Sequence, residues 1–173
     1  MFFSLCLTST AAGLSAPPVQ WGRQTVTPTQ DSIFGTMVVD SNDGIYIAVL
    51  KDSNDASGKT YKEKHLLKFN QDGKQLWSRQ LDANEGGNLQ HLDVDGLAAD
   101  NDENIYIFGS TDSKLGNEKK GGFDAFIIKY NQTGEEQHVW QLGTPDHDGC
   151  GGLAVDDDGN LYVAGNTAGS FAK

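Results

Sequence analysis

The 173-residue chain is short of basic charge, proline, sulfur and long apolar runs. Lys and Arg number 13 against 24 Asp and Glu, giving a formal net charge of -11. A surface of that sign repels phosphate backbones, which sets nucleic acid and anionic membranes aside as partners. No apolar stretch reaches the roughly 18 residues of a membrane-spanning helix, so no membrane span is expected. The cysteines are Cys6 and Cys150. Removal of a leader containing Cys6 would leave a single thiol, so a disulfide framework is not expected. Cys150 stands where Phe34 and Val94 stand in related segments and reads as a small buried hydrophobe. No segment sustains a 3.6-residue apolar period, so helix should be close to absent.

Motifs of catalysis are missing too. There is no Gly-x-Ser-x-Gly nucleophile elbow and no phosphate-binding loop. The histidines His65, His91, His138 and His147 form no His-x-x-x-His pair and sit at no zinc spacing from cysteine. Gly149-Cys150-Gly151-Gly152-Leu153-Ala154 fits the Gly-x-Gly-x-x-Ala form of a dinucleotide fingerprint. That fingerprint must open a helix, with an acidic residue about 20 positions on. Here a short strand and a turn follow, so close backbone packing is the better reading. No catalytic, cofactor-binding or metal-binding residue is assigned, and no cofactor is implied.

What the chain does have is glycine, 21 residues of it, interleaved with Asp and Asn as suits many tight turns. It opens with Met1 to Ala16, apolar at first and then small, like the later part of a secretory signal peptide without its basic start. Ser9-Thr10-Ala11 is a candidate cleavage motif, and Pro17-Pro18 then interrupts the chain. Repetition dominates the rest. Asp40, Asp100 and Asp156 fall at spacings of 60 and 56, and Tyr46, Tyr106 and Tyr162 keep them. Each unit reads as a short apolar strand (Met37 to Val39, Leu97 to Ala99, Leu153 to Val155), a polar turn, and a second strand around the Tyr. A loop, a third strand (His65 to Phe69, Ala125 to Tyr130), a turn with Gly73 or Gly134, and a Trp-bearing fourth strand complete it. Four-stranded meanders repeated at this length are expected to be β-propeller blades, because one small twisted sheet cannot cover both its faces alone. The first strand should lie innermost and the Trp strand outermost.

The stretch Gly152 to Thr167 resembles the core of the bacterial-type seven-bladed β-propeller repeat known as the SBBP repeat. So do Gly121-Gly122-Phe123-Asp124-Ala125-Phe126 and Trp140-Gln141-Leu142-Gly143-Thr144. The resemblance covers about residues 19 to 171 and implies a fold more than a function, since such repeats occur in large secreted or surface proteins. The first unit departs from it: Lys51 to Lys64 lacks the Gly-Gly-x-Asp-Ala-Phe element and reads as a variable loop, and Ala83 to Leu92 reads as an insertion.

The expected organisation is an all-β partial propeller of about two and a half blades. Residues 1–18 are a signal peptide or its remnant, 19–30 the outer strand of a preceding or closing blade, 31–82 and 83–147 two blades, and 148–173 an incomplete third. Known propellers use at least four blades. Either the chain is a fragment of a longer product, the preferred reading, or several copies associate. The acidic turns Asp40 to Gly44, Asp100 to Asn104 and Asp156 to Asn160 invite a calcium reading. An EF-hand places Gly at position 6 and a bidentate Glu at 12, whereas position 12 here holds Lys51, Thr111 or Thr167. Hairpin chemistry accounts for the turns without an ion. Asn131-Gln132-Thr133 is a glycosylation sequon in an expected exposed turn. The function expected is a non-catalytic scaffold or interaction segment, secreted or at the cell surface, with an unknown protein or glycan partner. The alternative is part of a propeller enzyme, a quinone-dependent dehydrogenase or a calcium-dependent hydrolase or lyase.

Overall fold

Short apolar runs separated by Asp, Asn and Gly leave the backbone one economical solution, a succession of antiparallel hairpins. The computed structural model describes residues 3–7, 19–24, 36–54, 57–58, 60–81, 92–116 and 119–170. Ser9-Thr10-Ala11, Phe34 and residues 82–91, which include His91 and all of the expected insertion but Leu92, lie outside the described residues. Twelve strands and no helix are found among them. The strands are β1 (Phe3–Leu7), β2 (Val19–Gln24), β3 (Thr36–Val39), β4 (Ile45–Asn54), β5 (Thr60–Phe69) and β6 (Gln75–Gln80). They continue with β7 (Leu92–Ala99), β8 (Ile105–Thr111), β9 (Asp124–Tyr130), β10 (Glu136–Leu142), β11 (Asp148–Val155) and β12 (Leu161–Thr167).

Strands β3 to β6 form one four-stranded meander and β7 to β10 a second, while β11–β12 and β1–β2 are two-stranded. Strand β7 packs against β3 on one side and β11 on the other, so the first strand of each unit is innermost. The Trp strands β6 and β10 are outermost. This is the architecture of a partial propeller.

Both faces of the middle blade are buried, and the two-residue period of a strand sorts its side chains between them. Ile105, Ile107, Phe126 and Ile128 face the first blade and pack with Tyr46 and Leu66. Tyr106, Phe108 and Ile127 face the half blade and pack with Cys150, Leu153 and Leu161. Cys150 is thus a buried apolar side chain and makes no disulfide. The inner strands carry a bulge at one place in the repeat: the register shifts between Val94 and Gly96 in β7 and between Cys150 and Gly152 in β11. Opposite each bulge is a glycine, Gly109 or Gly165. A methyl group there would collide with the carbonyl of Asp93 or Gly149, so the bulge and its glycine come as a pair.

One expectation is corrected. The stretch Lys51 to Lys64 is not a loop: β4 continues to Asn54 and β5 begins at Thr60. The register sets residues 51–54 of β4 opposite residues 60–63 of β5, which lengthens the hairpin where the repeat element is missing. Alternate connections of a meander fall on the same edge, so the five tight turns share one face. The longer connections, including residues 112–123 and 143–147, share the other.

Candidate functional site

The tight turns are five copies of one device. They begin at Asp40, Asn70, Asp100, Asn131 and Asp156. In each, the first residue's N–H donates to the carbonyl four residues on, and its own carbonyl accepts from the residue three on. The fourth residue takes positive φ: Asp43 (61°), Gly73 (73°), Glu103 (63°), Gly134 (78°) and Gly159 (79°). This is a type I turn closed by a left-handed residue, a common three-residue hairpin connection. The first side chain organises it. Asp100 Oδ1 accepts the N–H groups of Asp102 and Asn104, both at 2.9 Å. Its Oδ2 accepts Asn104 Nδ2 at 2.8 Å and the Tyr106 hydroxyl at 2.9 Å. Asp156 repeats the pattern with Asp158, Asn160 and Tyr162, and Asp40 with Asn42, Gly44 and Tyr46. Asn70 and Asn131 do the same through their amide oxygens. The Asn131 sequon thus sits in a hairpin turn, with its Nδ2 donating to Glu135 at 2.8 Å.

The electrostatics agree with this. Burial works to raise the Asp100 pKa, but hydrogen bonds from Asn104, Tyr106 and Asp102 outweigh it and leave the carboxyl below its ordinary range. Hydrogen bonds from Asn160 lead the same depression at Asp156. The Tyr106 hydroxyl is raised, first by burial and then by Asp100. Asp100 and Asp156 thus each spend both carboxylate oxygens on donors of their own turn and strand. Among the described residues, no group of three or more His, Cys, Asp or Glu is placed to hold a metal ion.

The same turns join neighbouring blades. Trp77 Nε1 donates to the Gln132 carbonyl at 3.1 Å. Arg79 Nε reaches the Gly134 carbonyl at 2.8 Å and its Nη2 the Thr133 carbonyl at 2.9 Å. Lys68 Nζ approaches Gln132 O at 3.5 Å. The outer strand of one blade thus grips the outer turn of the next. Nearer the axis, Asn42 donates to Glu103, and Asn101 Nδ2 donates to Asp157 Oδ1 at 2.8 Å. Sequence reasoning did not find the Arg79 contact. Its acceptors are backbone carbonyls, which leave no trace in residue type.

On the opposite face Asp124 is fully buried and ties down the Gly-rich loop before it. It accepts the N–H of Lys120 at 2.7 Å and of Gly121 at 3.0 Å, and Gln141 Nε2 at 2.9 Å. Asp148 Oδ2 accepts the Thr144 N–H at 2.6 Å and hydroxyl at 2.9 Å. Burial acts to raise the Asp148 pKa, but hydrogen bonds from Thr144 and Thr167 leave it lowered. The histidines do not converge. His65 bonds Ser78 and Glu63, His147 accepts the Phe123 N–H, and His138 lies 4.2 Å from the Trp140 ring. The Gly149 to Ala154 stretch lies inside strand β11, at its bulge, and opens no helix.

The SBBP family, described as a beta-propeller repeat, matches residues 76–117 and 139–172. The chain carries SBBP-type propeller repeats. Each matched SBBP segment runs from the outer Trp strand of one blade, through the bulged inner strand, to the second strand of the next blade. The sequence repeat is therefore out of phase with the blade: it holds together the two elements that grip the following unit and begin it. No curated protein matches the chain.

Proposed function

We propose that this chain is a non-catalytic β-propeller interaction module, part of a larger propeller, acting outside the cell or at its surface. One observation carries the non-catalytic part: the conspicuous carboxylates are consumed as acceptors inside their own turns and loops. The acidic surface and the apolar, then small, residues at 1–16 support an exported location. The loop face, with its longer connections, is the place for a protein or glycan partner, since such connections vary without disturbing the strands. A calcium titration followed by thermal unfolding is the test. The melting temperature should stay flat from chelator to millimolar calcium. A saturable rise would favour the calcium-dependent enzyme instead. Fusion of residues 1–30 to a leaderless reporter should direct its export, and retention inside the cell would overturn the location.

A further inference from the structure

On the reading of the chain as part of a larger propeller, we propose that the side of β10 bearing His138, Trp140 and Leu142 is a docking surface. Its occupant is the outer hairpin of the blade that β11 and β12 begin.

The first blade shows how such a surface is used. Lys68, Trp77 and Arg79 all end on carbonyls of the next blade's outer turn, at residues 132–134. The register gives each a counterpart one blade on. Lys68 stands opposite Trp77 and Leu66 opposite Arg79, as Lys129 stands opposite His138 and Ile127 opposite Trp140. His138 therefore holds the station of Trp77, Trp140 that of Arg79 and Leu142 that of Leu81. Val139, between them, packs into the core shared by the first two blades. Alternation along the strand turns the other three the opposite way, toward the third blade. The donor chemistry carries over although the residues do not. The rings of His138 and Trp140 carry N–H donors, and a backbone carbonyl accepts from either.

What differs between the two stations is cover. Leu81 is 8% exposed and Leu142 45%. The Lys68 side chain is 11% exposed and that of Lys129 27%. Trp77 is half-buried, whereas His138 is exposed, with its ring 4.2 Å from that of Trp140. The half blade already covers the inner part of the second blade, setting Cys150, Leu153 and Leu161 against Tyr106, Phe108 and Ile127. Among the described residues β12 pairs only with β11, whereas β4 and β8 pair on both edges. A hairpin added at β12 continues that sheet outward and comes to lie over β10, as β9 and β10 lie over β6.

The first interface also specifies the occupant. Gly134 is the fourth residue of the gripped turn, at φ 78°. A methyl group there would lie 3.1 Å from Arg79 Cγ and Nε and 3.2 Å from Trp77 Cε2. The inner turns at Asp40 and Asp100 instead carry Asp43 and Glu103 at that place. The docked turn should therefore begin with Asn or Asp, carry glycine fourth, and offer its carbonyls to Lys129, His138 and Trp140.

That hairpin can be supplied. The full chain is extended by a second copy of its own residues 118–142, which sets the added strand as far beyond Thr167 as Asp124 lies beyond Thr111. In the extended chain the Trp140 indole N–H should exchange with solvent about tenfold more slowly than in the unextended one, followed by NMR. Trp140→Phe and His138→Phe, made in the original copy only, should each lower the urea midpoint of the extended chain more than that of the unextended chain. Newly protected β12 amides, with an indole N–H that exchanges alike in both chains or substitutions that cost the same in both, would overturn the docking surface while leaving the added hairpin in its blade. Amides of β12 that exchange as fast as before would overturn the docking surface and the larger propeller together.

Discussion

Glu103 and Asp43 occupy left-handed backbone positions that Gly73, Gly134 and Gly159 fill in the sister turns. A side chain there is strained by about 1 kcal/mol, less for Asp than for Glu. Glu103→Gly gives up one exposed hydrogen bond from Asn42 and relieves that strain. It should raise stability by about 0.5 kcal/mol in chemical denaturation, net of the entropy glycine adds to the unfolded chain. Like Asp148, Asp100 contributes to the acid sensitivity of the fold. Its pKa is depressed below the ordinary 3.8, so its contribution is present above that value and is lost as pH falls through its lower folded value. Urea midpoints should therefore fall below about pH 3.8, and Asp100→Asn, the residue type used at Asn70 and Asn131, should weaken that fall. A pH profile unchanged by the substitution would sink the assignment. These turns were legible in the sequence because their chemistry is local: one Asp or Asn, a left-handed residue three on and, in the three Asp turns, a Tyr six on.

Elements were legible to the extent that the repeat repeats. The strand order followed from the spacing of Asp, Tyr and Trp, the innermost first strand from its lack of charge, and the outermost Trp strand from its amphipathic ring. The long β4–β5 hairpin did not, because its register is a relation between distant residues that no repeat element marks. The grip of Arg79 on the next turn was hidden for the same reason. Truncation to Ala should cost about 1–2 kcal/mol, the worth of a charged donor on two carbonyls. Arg79→Lys should recover less than half, since an ammonium cannot span both. Loss of cooperativity between blades in denaturant would accompany it, seen as transitions by Trp fluorescence and circular dichroism that no longer coincide.

At the scale of the molecule, β3, β7 and β11 lie in a row and the two four-stranded meanders bury their facing sides against each other. The sequence showed the repeating unit because each blade is built from local hairpins. The contacts that cross from one blade to the next end on backbone carbonyls and left no mark in residue type.

Strand β2 ends at Gln24 and β3 begins at Thr36, while β6 ends at Gln80 and β7 begins at Leu92, and this equal displacement of 56 residues has a genetic meaning. Excising residues 25–80 would splice Gln24 to Leu81 without disturbing any register, for β2 would inherit the station of β6. Such a chain would hold one whole blade fewer. Blade number in this architecture is thus a quantity that in-frame duplication and loss can edit by whole units.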